Sequence, residues 1–212
     1  MKNTLLTFIL VLIPIFTLQA QDSSSEFKPV IGDRTIEAGS SLQGFQYGGT
    51  LKYRQFITDE KALRLSGNLQ FSYNAPNDDF TEMYSAISII PGIERHFAGT
   101  SRLSPYIGAE LPLSVAFSKS ESPEKTVNGA WGEQYNRAFI GAGLNAVTGV
   151  DFYIVKNFYV GLEFGAGVFY RKYKDVKIDY KEYDFNDRTI KGGSSINFNT
   201  FATGGFRIGF AF

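Results

Sequence analysis

A set of ionisable residues of both signs recurs along the chain, most of them between apolar or small neighbours: Glu37, Lys52, Arg54, Arg64, Glu94, Glu110, Asp151, Glu163 and Arg207. If their side chains share one face of extended strands and that face is shielded from water, each charge is costly unless it is paired. The chemistry they suit is therefore an ion-pair and hydrogen-bond network. Glu110 and Glu163 are expected to meet partners drawn from Arg54, Arg64 and Arg207, with Glu94 in the same network. The functional alternative is a proton or ion path along the carboxylates. Nucleophilic catalysis has little to build on. The single histidine, His96, lies in Glu94-Arg-His-Phe97, with Ser101 and Ser104 close in sequence. A Ser-His-acid arrangement needs mutual hydrogen-bond reach, and no diagnostic spacing is present, so no enzyme activity is expected. The acidic clusters Asn77-Asp-Asp79 and Asp184-Phe-Asn-Asp187 offer oxygen ligands but lack the twelve-residue calcium-loop spacing. Neither a metal nor a cofactor is expected.

The elements that must position these charges read as strands. Phe206, Ile208, Phe210 and Phe212 alternate with Arg207, Gly209 and Ala211. Phe158, Val160, Leu162, Phe164, Ala166 and Val168 likewise alternate with Tyr159, Gly161, Glu163, Gly165 and Gly167. Such period-two patterning is that of half-buried strands. Strands are expected near 34–43, 46–57, 62–73, 83–97, 103–117, 138–154, 158–173 and 194–212, giving eight. Short turns at 58–61, 98–102 and 155–157 alternate with longer polar segments at 74–82, 118–137 and 174–193. The first hairpin, near Gly44, is too short to fit that alternation well. The fold expected is all-β: an eight-stranded, antiparallel, up-and-down transmembrane β-barrel, with large apolar residues toward lipid and the charges inward. An eight-stranded barrel is only just wide enough for side chains to fill it, which predicts a plugged lumen.

The beginning of the chain bears on location. Lys2 precedes an apolar run from Leu5 to Leu18, followed by Gln19 and Ala20, the order of a secretory signal peptide and too short for a spanning helix. Residues 1–20 are thus expected to be a signal peptide, 21–33 a short N-terminal periplasmic segment and 34–212 the barrel. The chain has no cysteine, so neither a lipidated N-terminus nor disulfides are available. It carries 21 basic and 21 acidic residues, and loss of Lys2 leaves a net charge of −1, which gives no bulk attraction to nucleic acid. Glycine at 22 residues, with 20 Phe and 12 Tyr, suits aromatic-flanked strands.

The apolar leader, the glycine and aromatic strands, the segment Arg102-Leu-Ser-Pro-Tyr-Ile-Gly-Ala-Glu-Leu111 and the terminal Phe212 together resemble the small outer-membrane β-barrel proteins common in Bacteroidetes, of the OmpA membrane domain and OmpX type. The resemblance implies an outer-membrane location, contact with outer-membrane lipid, and insertion by the barrel-assembly machinery. That machinery would read Phe206, Ile208, Phe210 and Phe212 as its signal. It implies no shared activity, since fold and function separate in such families. A non-enzymatic structural or surface-interaction role is expected. The segment Lys172–Lys191 is expected to extend a hairpin beyond the membrane, where it and Trp131 could meet a protein or a glycan. Two alternatives stay open: a barrel binding a surface glycan or small apolar ligand, and a soluble periplasmic calycin-like binding protein.

Overall fold

The computed structural model describes residues 27–40, 49–132, 134–182 and 187–212, with the backbone alone at 40, 49 and 201–206. The expected signal peptide, the turn near Gly44 and the Asp184-Phe-Asn stretch lie outside the described residues. Among the described residues the alternating segments become strands β1 (Arg34–Ser40), β2 (Gly49–Phe56), β3 (Lys61–Asn77), β4 (Phe80–His96), β5 (Leu103–Glu110), β6 (Leu113–Glu121), β7 (Lys125–Asn128), β8 (Phe139–Val155), β9 (Phe158–Tyr173), β10 (Val176–Tyr180), β11 (Arg188–Ile190) and β12 (Ser194–Ala211).

Antiparallel pairing runs from β1 through β2, β3, β4, β5, β8, β9 and β12. It then returns to β1 by Thr35 opposite Ala211 and Ala38 opposite Ile208, so the sheet closes on itself. Strand β6 takes the same place in the wall as β5, pairing with β4 on one side and β8 on the other. The ring therefore has eight positions, and the fifth is a strand broken at Leu111-Pro112. Pro112 has no N–H for the ladder and lies at the break between β5 and β6, where the expected 103–117 strand is interrupted. The break is bridged by the Leu111 N–H donating to the Pro91 carbonyl (2.8 Å) and the Gly143 N–H donating to the Pro112 carbonyl (2.9 Å).

Both ends of the described barrel chain meet at the rim with the tight turns, where Arg34 and Phe212 exchange two backbone hydrogen bonds of 2.9 Å. This rim faces the periplasm in the class. At its β8–β9 turn Asn157 adopts a φ of 70°, a left-handed position that asparagine tolerates. The opposite rim departs from the expected long loops. The segment expected as the loop 74–82 is mostly strand, turning at Asp78 and Asp79, because its polar residues still pair across the hairpin: Asn74 lies opposite Glu82 and its Nδ2 donates to the Glu82 carboxylate at 3.2 Å. Polarity there reports water around the strand, not its absence. The segment 172–191 extends the β9–β12 hairpin past the barrel wall, as expected: after a break at Lys174-Asp175, β10 pairs with β11 in the register that Lys172 and Ser194 set, Val176 opposite Ile190. On its other side β10 pairs with β7, which pairs with β6, a contact the sequence did not show. The result is a small sheet at the rim, held by an apolar cluster of Val127, Ala130, Val176 and Ile178, with Tyr180 and Ile190 packed on it.

The side chains are arranged inside out relative to a water-soluble barrel. Arg54 and Arg207 are the largest fully buried residues, whereas Leu65, Leu69, Phe71, Ile89, Leu144, Phe164 and Phe198 face outward. A barrel holding an apolar ligand in water needs the reverse polarity. In lipid, closure also serves the backbone, since the ring leaves no open strand edge in the hydrocarbon.

Candidate functional site

The charged residues meet in the half of the lumen nearer the periplasmic rim. Each stands at an inward position of its strand, and the antiparallel registers bring them to similar heights: Glu37 opposite Lys52, Arg54 opposite Arg64, and Gly92, two residues before Glu94, opposite Glu110. Like charges face each other at Arg54 and Arg64, an arrangement that costs stability unless carboxylates intervene. They do. Arg54, fully buried, places Nη2 2.7 Å from Glu37 Oε2 and Nη1 2.7 Å from Asp151 Oδ2 and 3.2 Å from Glu94 Oε2. Arg64 reaches Glu94 (2.5 Å), Glu110 (2.6 Å) and Glu163 (2.8 Å). Arg207 meets Glu37 and Asp151, each at 3.0 Å, with Glu163 at 3.6 Å. Lys52 Nζ lies 3.2 Å from Glu37 and 3.1 Å from Glu163.

All six lumen residues selected from sequence, Arg54, Arg64, Glu94, Glu110, Glu163 and Arg207, thus lie inside the ring and touch one another through these pairs. Lys52, Glu37 and Asp151 complete the set. Two tyrosines were not singled out as network members. Tyr106 donates its hydroxyl hydrogen to Glu163 Oε2 at 2.6 Å, and the Tyr159 hydroxyl accepts from Arg54 Nη2 at 2.9 Å. The guanidinium of Arg54 also lies over both rings, 5.6 and 5.3 Å from the centroids. A signal existed: Tyr106 shares parity with Glu110, and Tyr159 with Glu163.

Glycine makes room for this layer. A Cβ at Gly161 would stand 2.6 Å from Asp151 Oδ1 and 2.7 Å from Arg207 Nη2, and one at Gly92 would meet Arg64 Cγ at 3.0 Å and Glu110 Cγ at 3.1 Å. The charged side chains cross the lumen over these bare backbones.

His96 sits beneath the network, buried between the Phe56 and Tyr106 rings, each centroid 5.1 Å away. Its Nδ1 is 2.9 Å from Ser104 Oγ and its Nε2 is 3.2 Å from Glu94 Oε2. The structure brings serine, histidine and acid within reach even though their spacing matches no known pattern; Ser101 is not part of the group. Glu94 is also the acceptor for Arg54 and Arg64, and the three groups lie inside the lumen, away from the lipid face where an acyl chain would approach. Among the described residues no cluster of three potential metal ligands occurs. In the acidic stretches, Asn77 Oδ1 accepts the Asp79 N–H (3.1 Å) within the β3–β4 turn, and Asp187 Oδ1 accepts the Tyr180 N–H (2.7 Å). Of the closing-strand residues, Ile208, Phe210 and Phe212 face outward and are about half exposed, while the side chain of Phe206 lies outside the described set.

Residues 78–212, from the β3–β4 turn to the last residue, match the model of the OmpA-OmpF-like porin family. The chain belongs to that family. This porin-family barrel has the fold of OprG, an outer membrane protein of Pseudomonas aeruginosa, with a TM-score of 0.52 and 10% identity over 90% of this chain and 99% of that one. Two further structures are similar. The N-terminal β-barrel domain of Pseudomonas aeruginosa OprF gives a TM-score of 0.42 at 20% identity, covering 87% of this chain and all of that one. Neisserial surface protein A gives 0.39 at 17% identity, covering 85% and 94%. Comparison with curated proteins found no match. Family membership and the outward apolar wall together make this an outer-membrane β-barrel protein, embedded in outer-membrane lipid.

Proposed function

We propose that this porin-family barrel is a non-enzymatic outer-membrane protein with a structural or surface-interaction role and a lumen sealed by its own side chains. The carrying observation is the charged layer itself: Lys52, Arg54, Arg64 and Arg207 against Glu37, Glu94, Glu110, Asp151 and Glu163, all at most 6% exposed and joined across the ring. An ion entering such a layer must separate pairs whose partners would then be stranded in a dry site, which is expensive. Residues 1–20 act as the export signal, 21–33 as a periplasmic lead-in and 34–212 as the barrel. The barrel-assembly machinery reads the run Phe206, Ile208, Phe210 and Phe212. The small sheet of β7, β10 and β11 supplies the surface that a protein or glycan partner would meet.

The test is permeability of proteoliposomes. Vesicles containing the refolded barrel should swell no faster in an iso-osmotic solution of a small neutral sugar than protein-free vesicles. Swelling at the rate given by an open porin would overturn the sealed lumen.

A further inference from the structure

Above the charged layer the lumen changes character. It becomes a vestibule of about 530 Å³ that opens at the outer rim, within the ~300–1,000 Å³ typical of small-ligand sites. Its wall combines guanidinium groups (Arg137, Arg171), side-chain amides (Asn68, Gln70) and aromatic rings (Phe169, Tyr173). The two arginines differ from those below. Arg54, Arg64 and Arg207 each meet at least two carboxylates, whereas among the described residues neither Arg137 nor Arg171 forms an ion pair. Instead, ring faces hold them. Arg171 lies 5.0 Å from the Phe169 centroid and 5.4 Å from that of Phe139; Arg137 lies 5.3 Å from that of Tyr173 and donates to the Lys174 carbonyl at 3.0 Å.

A guanidinium held over ring faces, with no carboxylate partner, keeps donors for an incoming one: Arg171 its planar fork, and Arg137 the donors not engaged by Lys174; beside amides and ring faces they describe a ligand with three features. It carries an anionic carboxylate, hydroxyl groups for the amides, and C–H faces for the rings. We propose that the outer vestibule binds an acidic sugar, a pyranose bearing a carboxylate, and holds it at the cell surface above the sealed layer. The reading rests on the sealed lumen only for its floor, so binding and permeability fail separately.

The one tryptophan of the chain reports on the site: Trp131 packs edge-on against Tyr84 of the vestibule wall, with centroids 6.4 Å apart and planes at 84°. The folded full-length barrel in detergent micelles would be titrated with sodium glucuronate, glucose, sodium acetate and sodium sulfate, followed by Trp131 fluorescence and, independently, by calorimetry. Glucuronate should bind saturably. Glucose, acetate and sulfate, which each lack the anion or the ring, should bind at least tenfold more weakly. Arg171→Gln should weaken glucuronate binding at least tenfold, and Arg137→Gln is the second variant should the first not fold, with folding checked by heat-modifiable gel mobility. Equal affinity for glucose and glucuronate, equal affinity for sulfate, an unchanged affinity in the folded arginine variant, or no calorimetric binding of glucuronate would each overturn the proposal. Vesicle swelling measured on the same preparation shows whether the floor is sealed, whichever way the titration falls.

Discussion

Arg64 is the cation whose loss the lumen should tolerate least. Its guanidinium reaches three carboxylates, and the other cations cover two of them: Glu94 keeps Arg54, and Glu163 keeps Lys52 and Arg207. Glu110 has no second ion pair among the described residues; its remaining partner is the Asn145 amide at 3.4 Å. Arg64→Met keeps the aliphatic stem while leaving Glu110 buried and uncompensated. Removing one member of a buried pair costs about 3–5 kcal/mol. Three contacts do not triple this figure, because two of the carboxylates retain partners and network energies are not additive. The comparison variant is Arg95→Gln, whose pair with Glu60 spans 3.5 Å with side chains 59% and 64% exposed, and which should cost about 1 kcal/mol or less. Equilibrium urea unfolding of the refolded barrel in lipid vesicles, followed by Trp131 fluorescence, measures both. The double variant Arg64→Met/Glu110→Gln should recover part of the loss, since it removes the stranded charge. A loss for Arg64→Met no larger than that for Arg95→Gln, or no recovery in the double variant, would refute the pairing argument.

Glu163→Gln, which weakens contacts to Lys52, Arg64 and Arg207, should lower the unfolding midpoint, whereas Glu121→Gln, paired with Lys119 at the exposed end of β6, should leave it unchanged in the same assay. Gly161→Ala should destabilise the barrel by about 1–3 kcal/mol in urea unfolding, because the new methyl group collides with the Asp151 and Arg207 side chains. At the outer rim, the Gly192 N–H donates to Asp175 Oδ1 at 2.8 Å and Lys191 pairs with the same carboxylate, and these contacts hold Asp175 below its ordinary pKa of 3.8. A depressed carboxyl stabilises its contacts above the ordinary value and loses that contribution as pH falls through the depressed one. The Gly192 amide resonance should therefore shift in an acid titration with a midpoint below 3.8, and Asp175→Asn should abolish that shift.

Period two carried much of the fold into view. Phe158 to Val168 on one face and Tyr159 to Gly167 on the other determine which side of β9 turns outward, because a one-residue slip would move every side chain to the wrong face. The same parity groups Glu37, Lys52, Arg54 and Glu163, so membership of the charged layer is a local property of each strand. Which carboxylate meets which cation is not local. Arg64 and Glu163 are separated by 99 positions in sequence and touch only because the ring closes and its strands tilt, and nothing in either strand records that height. The rim was hidden for another reason. Polar residues such as Asn74 and Glu82 read as loop, although beyond the bilayer a hairpin needs no apolar face. The pairing of β7 with β10, between Val127 and Ile178, joins segments about fifty residues apart and leaves only short strands too brief for periodicity to show. The group formed by Ser104, His96 and Glu94 had no readable spacing because it spans two neighbouring strands.

The sealed charged layer is tested most directly by single-channel recording in planar lipid bilayers. If the lumen is sealed as proposed, the folded native barrel should give negligible conductance, since an ion would have to break the buried pairs of Lys52, Arg54, Arg64 and Arg207. A large, steady single-channel current from the native protein would contradict the account and the packing of charges on which it rests.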